Sequence, residues 1–178
     1  MNKAVYSAIF IFFLSLLISN VSFGQELKTR YATIRYSDDD LLREFNKRLY
    51  LGRRLGYLLR NRPLVTVSDE VSAKVDIIVE KVEAVLDMFP QYVHFSLVLL
   101  PSSKDVQQVY YQKYGRRAKH IAYYSLSEKT IYLSVRDCNL RVLSHEIGHM
   151  VVDHYFKVRP PYRIHEVLAQ YAEKHVTD

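Results

Sequence analysis

The chain predicts an α+β fold in which a short mixed sheet packs against helices. Three observations carry it. Apolar residues recur at helical spacing over long stretches, best over residues 69–89. Between those stretches lie short runs rich in Val, Ile, Tyr and Leu, bounded by Pro, Gly or Ser. The length of 178 residues, 49% of them apolar, suits one ordinary core and is too short for two full domains.

The first 24 residues are set apart from that fold. Lys3 makes a short positive start, Val5 to Ile18 is an apolar core, and Ser22-Phe23-Gly24 places small residues where a signal peptidase reads them. Cleavage after Gly24 leaves residues 25–178 as one exported domain, periplasmic or secreted. The competing reading is an uncleaved membrane anchor, because Ala4 to Phe23 approaches the roughly 20 residues that span a bilayer. No cysteine lies near the cleavage point, which argues against a bacterial lipoprotein.

After the signal, Lys28 to Tyr36 alternates and reads as a strand. Asp38-Asp39-Asp40 opens a helix whose apolar positions include Leu41, Leu42, Phe45 and Leu49; it breaks near Gly52 or Gly56, and Pro63 ends it. Ser68-Asp69-Glu70 begins the long helix over 69–89, with Val71, Val75, Ile78, Val82, Val85 and Phe89 on one face, and Pro90 stops it. Tyr92 to Leu100 is an interior strand, and His94 on it reads as a packed or surface side chain. Ser102 or Ser103 caps a helix running to about Tyr114, stopped by Gly115. Ala118 to Tyr124 and Thr130 to Val135 pair as a hairpin. A buried helix follows from about Asn139 to Phe156, Pro160-Pro161 prevents its continuation, and Tyr162 to His175 forms the last helix.

The only cysteine, Cys138, allows no intramolecular disulfide and reads as a small core side chain. Loss of Lys3 with the signal leaves 24 basic against 19 acidic side chains, a charge of +5. Much of it lies between Arg43 and Arg62. That segment suits contact with an anionic envelope surface or an acidic substrate, and its plainer reading is a solvated helix face opposite Leu42, Phe45, Leu49 and Leu55. An exported chain is a poor candidate for nucleic-acid binding.

The chemistry concentrates in Ser144-His145-Glu146-Ile147-Gly148-His149, which reads H-E-x-x-H. Residues four apart on a helix lie one turn apart and roughly 40° apart around the axis, so both imidazoles can reach one small ion. Glu146 sits about 60° from His149, off the ligand line but near enough to contact a water on that ion, as a general base must. The plain alternative is a pair of hydrogen-bonded core histidines with a surface glutamate. A catalytic site of this kind needs a third protein ligand and one open position. Asp153 lies about 12 Å along the helix from His145, too far to share an ion whose bonds are near 2 Å, and His154 is farther. The last helix offers both His165 and Glu166, and adjacent helical residues diverge by about 100°, so one of the two serves.

In this motif the sequence resembles the zincin metallopeptidases, in which neutral imidazoles bind Zn²⁺ and the glutamate deprotonates its water. The metzincin extension is missing, since Val152 and Tyr155 occupy its glycine and third-histidine positions. With sixteen residues between His149 and Glu166, and the segment Glu166-Val-Leu-Ala-Gln-Tyr on the last helix, the chain is similar to the glutamate zincins. That resemblance implies a minimal zincin fold and one catalytic Zn²⁺ held by His145, His149 and Glu166. It implies Glu146 as catalytic base, an edge strand near Lys119 to Tyr124 that holds peptide substrate, and hydrolysis of peptide bonds. Where thermolysin-like members carry an aspartate bracing the first histidine, this chain has Gln170, a neutral acceptor for an imidazole N–H. Tyr171, Tyr162 and Tyr155 are the candidates for steadying the oxyanion, with Tyr171 favoured because it follows Glu166 on one helix. The rival functions are a non-catalytic exported binding module locked by metal and an amidase acting on cell-wall peptides.

Overall fold

The computed structural model describes residues 24–60 and 62–178, so all of the export signal except Gly24 lies outside the described residues. Within them the architecture is α+β, with a five-stranded mixed sheet and six helices. Among the described residues no helix is long and apolar enough to cross a membrane.

The chain opens with a hairpin where the sequence suggested one strand. Strands β1 (Gln25–Lys28) and β2 (Ala32–Tyr36) pair antiparallel, Leu27 opposite Ile34. The turn forms because the Thr29 hydroxyl accepts from the backbone N–H groups of Tyr31 and Ala32, at 3.1 and 2.9 Å. Threonine is also strand-compatible, which is why the turn was hidden in the alternation.

Helix α1 (Asp39–Arg48) starts where the Asp38 carboxylate accepts from the Leu41 N–H at 2.9 Å. It stops at Leu49, and α2 (Gly52–Tyr57) begins after a kink that Gly52 makes at φ +72°; Gly56 stays inside α2. The arginine-rich face here points outward, and Arg43, Arg48 and Arg62 each meet an acid, while Leu41, Leu42, Phe45, Leu49 and Leu55 are buried.

Helix α3 (Val67–Leu86) starts two residues before the position expected. Thr66, not Ser68, caps it, in a reciprocal box in which Thr66 Oγ1 accepts from Asp69 N and Asp69 accepts from Thr66 N. It ends earlier as well, because Asp87 turns left-handed at φ 53° before Pro90 is reached.

Strand β3 (Phe95–Leu100) starts at Phe95 and not at Tyr92, because Phe95 pairs with Ala32, the first residue of β2. Helix α4 (Ser103–Tyr114) is boxed by Ser102 and Asp105 and stopped by Gly115 at φ +65°. Strands β4 (Ala122–Ser125) and β5 (Thr130–Ser134) form the expected hairpin, shorter at its start. The order is β1-β2-β3-β5-β4, with β2, β3 and β5 parallel and the outer strands antiparallel to their neighbours. Strands β3 and β5 are covered on both faces, so they read as continuous apolar runs. One face packs on α4 through Val98, Leu100, Val106, Val109, Tyr123 and Tyr132. The other carries the main core with α1, α3 and the helix α5 (Leu140–Tyr155), which Asn139 caps by accepting from Val142 N. The last helix, α6 (Tyr162–His175), follows Pro161 and lies along α5.

Candidate metal centre

Helices α5 and α6 run antiparallel and in close contact, since His145 meets Glu173 near the end of α6 while His149 meets His165 near its start. A glycine allows the closeness. A Cβ built on Gly148 would lie 2.9 Å from Ala169 Cα and 3.3 Å from Ala172 Cβ. Three small residues therefore set the spacing of the two helices in the middle of H-E-x-x-H.

The three residues expected as ligands come together. One ligand atom from each of His145, His149 and Glu166 lies within 4.8 Å of the others. His145 Nε2 is 3.6 Å from Glu166 Oε1, and His149 Nε2 is 3.5 Å from Glu166 Oε2. Two ligands bound tetrahedrally at about 2.1 Å stand roughly 3.4 Å apart, so the two histidine–glutamate separations are close to what a zinc-sized ion requires. Burial holds the His149 imidazole down to about 4, which keeps it in the neutral form that ligates.

Glu146 lies beside this set and is only 8% exposed. Burial pushes its carboxyl up to about 8; the Tyr124 backbone N–H, donating to it, works against that, and the charges of Glu166 and Glu173 add to it. Tyr124 belongs to β4, the sheet's edge strand, so Glu146 is braced by the strand that borders the site. A cavity of about 570 Å³ opens here, lined by the ligand residues, Glu146, Tyr110, Tyr114 and Tyr162 among others.

The surroundings of the ligands differ from expectation in two ways. Gln170 does not reach an imidazole: its amide donates to Glu166 Oε1 at 3.0 Å, because a residue four positions on lies directly above the glutamate on the same helix. The carboxylate facing His145 Nδ1 is Glu173, at 3.1 Å, seven residues after Glu166 and two turns along the same face. That seven-residue spacing was visible in the sequence. As the choice of Glu166 from the adjacent pair implied, His165 lies outside the cluster; its Nδ1 is 3.1 Å from His149 Nδ1. Tyr171, too, departs from expectation and is not brought to the cavity: it is 49% exposed, with its ring 4.3 Å from that of His175. Tyr155 turns instead against Phe156. Tyr162 is the candidate that lines the cavity, its hydroxyl 3.5 Å from Glu166 Oε2.

The remaining polar residues near the motif have structural partners. Asp153 accepts from the Tyr124 hydroxyl at 2.9 Å, His154 Nδ1 meets the Met150 carbonyl, and the Ser144 hydroxyl donates back to the Leu140 carbonyl. On the far side of the sheet, His94 Nε2 is hydrogen-bonded to the Thr33 hydroxyl. Cys138 is buried, and burial pushes its thiol up to about 12. Comparisons of the chain with family models, with curated proteins and with solved structures give no match.

Proposed function

We propose that this chain is a small exported zinc metallopeptidase of the glutamate-zincin type, in which α5 and α6 hold the metal beneath the edge of the sheet. The observation that supports it is the convergence of His145 Nε2, His149 Nε2 and the Glu166 carboxylate beside a buried Glu146, on a cavity bordered by an edge strand. Zn²⁺ in that donor set would lower the pKa of a water and polarise a substrate carbonyl.

The chain's own residues divide the remaining work. Glu146 takes a proton from the attacking water and returns it to the leaving amine, a role suited to a carboxyl poised near neutral pH. Glu173 accepts from His145 Nδ1, which fixes the ring so that Nε2 faces Glu166. Among the described residues no strand pairs with the outer edge of β4, and its backbone groups suit an extended peptide added to the sheet. Tyr162, whose hydroxyl already faces Glu166, is the donor placed to steady negative charge on the substrate oxygen.

The test is metal content with turnover of an unstructured peptide library. The parent should carry about one zinc per chain, and Glu146→Gln should keep the zinc while losing about 10²–10⁴-fold in turnover. Unchanged turnover in Glu146→Gln would refute the assigned base. Zinc without turnover in the parent would point to the metal-locked binding module, and no zinc would remove the metal reading.

A further inference from the structure

The cavity that holds the cluster of His145, His149 and Glu166 continues past the outer edge of β4 to the opposite face of the sheet, where Tyr110, Tyr114, His120 and Tyr123 join its lining. Packing tells the two faces apart. Ala122 and Tyr124 belong to the core that α5 shares, and the Tyr124 hydroxyl reaches Asp153 on α5. Tyr123 points the other way and packs with Val106 and Val109 of α4. Around it the ring centroids stand 4.7 Å apart for Tyr110 and Tyr114, 4.7 Å for Tyr110 and His120, and 5.1 Å for Tyr110 and Tyr123. The Tyr114 hydroxyl is hydrogen-bonded to Ser125 Oγ at 2.9 Å, which ties the end of α4 to the strand, yet Tyr114 remains 41% exposed. These four rings bring no carboxylate, ammonium or guanidinium group to their end of the cavity, and burial holds the His120 imidazole below its ordinary value.

The backbone of β4 fixes how a further strand would lie against this wall. Ser134 N donates to the Ile121 carbonyl, so in the antiparallel register Ile121, Tyr123 and Ser125 turn their backbone groups inward to β5, and Ala122 and Tyr124 turn theirs outward. The Tyr124 N–H is taken by Glu146, so strand addition centres on Ala122 and the Tyr124 carbonyl. Side chains alternate between the faces of a sheet, and residues directly opposite share a face. The added side chain opposite Ala122 therefore faces α5 and the histidines. Its neighbour, opposite Tyr123, faces the aromatic wall.

We propose that Tyr110, Tyr114, His120 and Tyr123 form a side-chain subsite that selects an extended peptide with an aromatic or large aliphatic residue opposite Tyr123, a step that rests on the reading of this cavity as a peptidase site. An apolar side chain there is buried against ring faces and edges. A charged one loses water and gains no partner.

The probe is a blocked octapeptide of alternating Ala and Ser with one central residue set to Phe, Ala or Glu. Equilibrium binding is measured on Glu146→Gln protein, alone and with Tyr114→Ala or Tyr114→Phe added. Turnover by the parent and by the two Tyr114 variants is followed by mass spectrometry, which also locates the cut bond. The Phe peptide should bind about tenfold more tightly than the Ala peptide, and the Glu peptide no more tightly than Ala. The parent should cut at one fixed distance from the Phe. Tyr114→Ala should lower the Phe-to-Ala ratio of kcat/KM by about 2- to 10-fold, and Tyr114→Phe should keep it. That ratio cancels the amount of active protein, so a variant that folds less well still reads it. Equal binding of the Phe and Ala peptides, no binding of any of them, or a ratio untouched by Tyr114→Ala overturns the proposal and leaves the metal site standing. A ratio lost equally in both Tyr114 variants places the effect on the hydroxyl and also overturns it. A parent that cuts nothing, with a Phe preference in binding that Tyr114→Ala weakens, removes the peptidase reading and leaves the subsite as a peptide-binding groove.

Discussion

Gly148→Ala is the substitution that asks most of this structure. On helix propensity alone it should stabilise, since alanine in a helix interior is better than glycine by about 1 kcal/mol. The neighbours reverse that. The added Cβ would stand 2.9 Å from Ala169 Cα, a backbone atom that no rotamer change can move. Carbon atoms settle at about 3.5 Å or more, so α6 must retreat by roughly 0.6 Å. Overpacking of this kind costs about 1–3 kcal/mol, which leaves a net loss of about 0–2 kcal/mol after the propensity gain. On the proposed zinc reading, the larger effect falls on metal binding. His145 and His149 ride on α5 and Glu166 on α6, and metal–ligand bonds tolerate only about 0.2 Å. Zinc affinity should fall by about tenfold or more, roughly 1.4 kcal/mol. Competition against a chelator of known affinity reads that loss, and thermal unfolding with and without zinc separates it from stability, at about 2–4 °C per kcal/mol for a domain of this size. A variant that melts higher than the parent and binds zinc equally well would refute the argument that Gly148 sets the helix spacing.

Other outcomes follow from the same geometry. Glu173→Gln should weaken zinc binding by about 10- to 100-fold while the helical circular dichroism stays unchanged, since it touches His145 and not the metal; equal affinity would show that the contact is incidental. Cys138, buried with its thiol pushed up to about 12, should resist a thiol reagent at pH 8 in the folded protein and react fully in denaturant; rapid native labelling would contradict its burial. Lys74 Nζ bridges Glu70 and Asn46, joining α1 to α3, and that hydrogen bond holds the Glu70 carboxyl below its ordinary value. A lowered folded pKa contributes stability above the unfolded value of about 4.3 and loses it as the pH falls through the folded one. Glu70→Gln should therefore be less stable than the parent at pH 7, with the difference shrinking as the solution is acidified below about 4 in urea melts.

Much of this protein was legible because the information was local. Two histidines and a glutamate at fixed helical spacing are placed by backbone geometry whatever lies around them, so His145, His149 and Glu146 needed no tertiary knowledge. The ends of α4 and α6 followed from Gly115, Pro161 and the residues beside them, which act within one turn. Other boundaries slipped where two local signals competed: Thr66 outcompeted Ser68 as a cap because Asp69 was placed to reciprocate, and Thr29 closed a turn inside a strand-like run.

What only the tertiary structure decided was everything that depends on which face of one element meets which face of another. Sheet order, the placing of β4 at the edge beside Glu146, and the 2.9 Å approach at Gly148 are set by packing of residues far apart in sequence. The same packing chose among polar side chains that looked alike on paper. Glu173 reached His145 and Gln170 did not, His165 turned to the back of His149, and Tyr162 came to the cavity while Tyr171 stayed outside. Helical spacing fixes which residues share a face, whereas the neighbouring helix determines which of them find a partner.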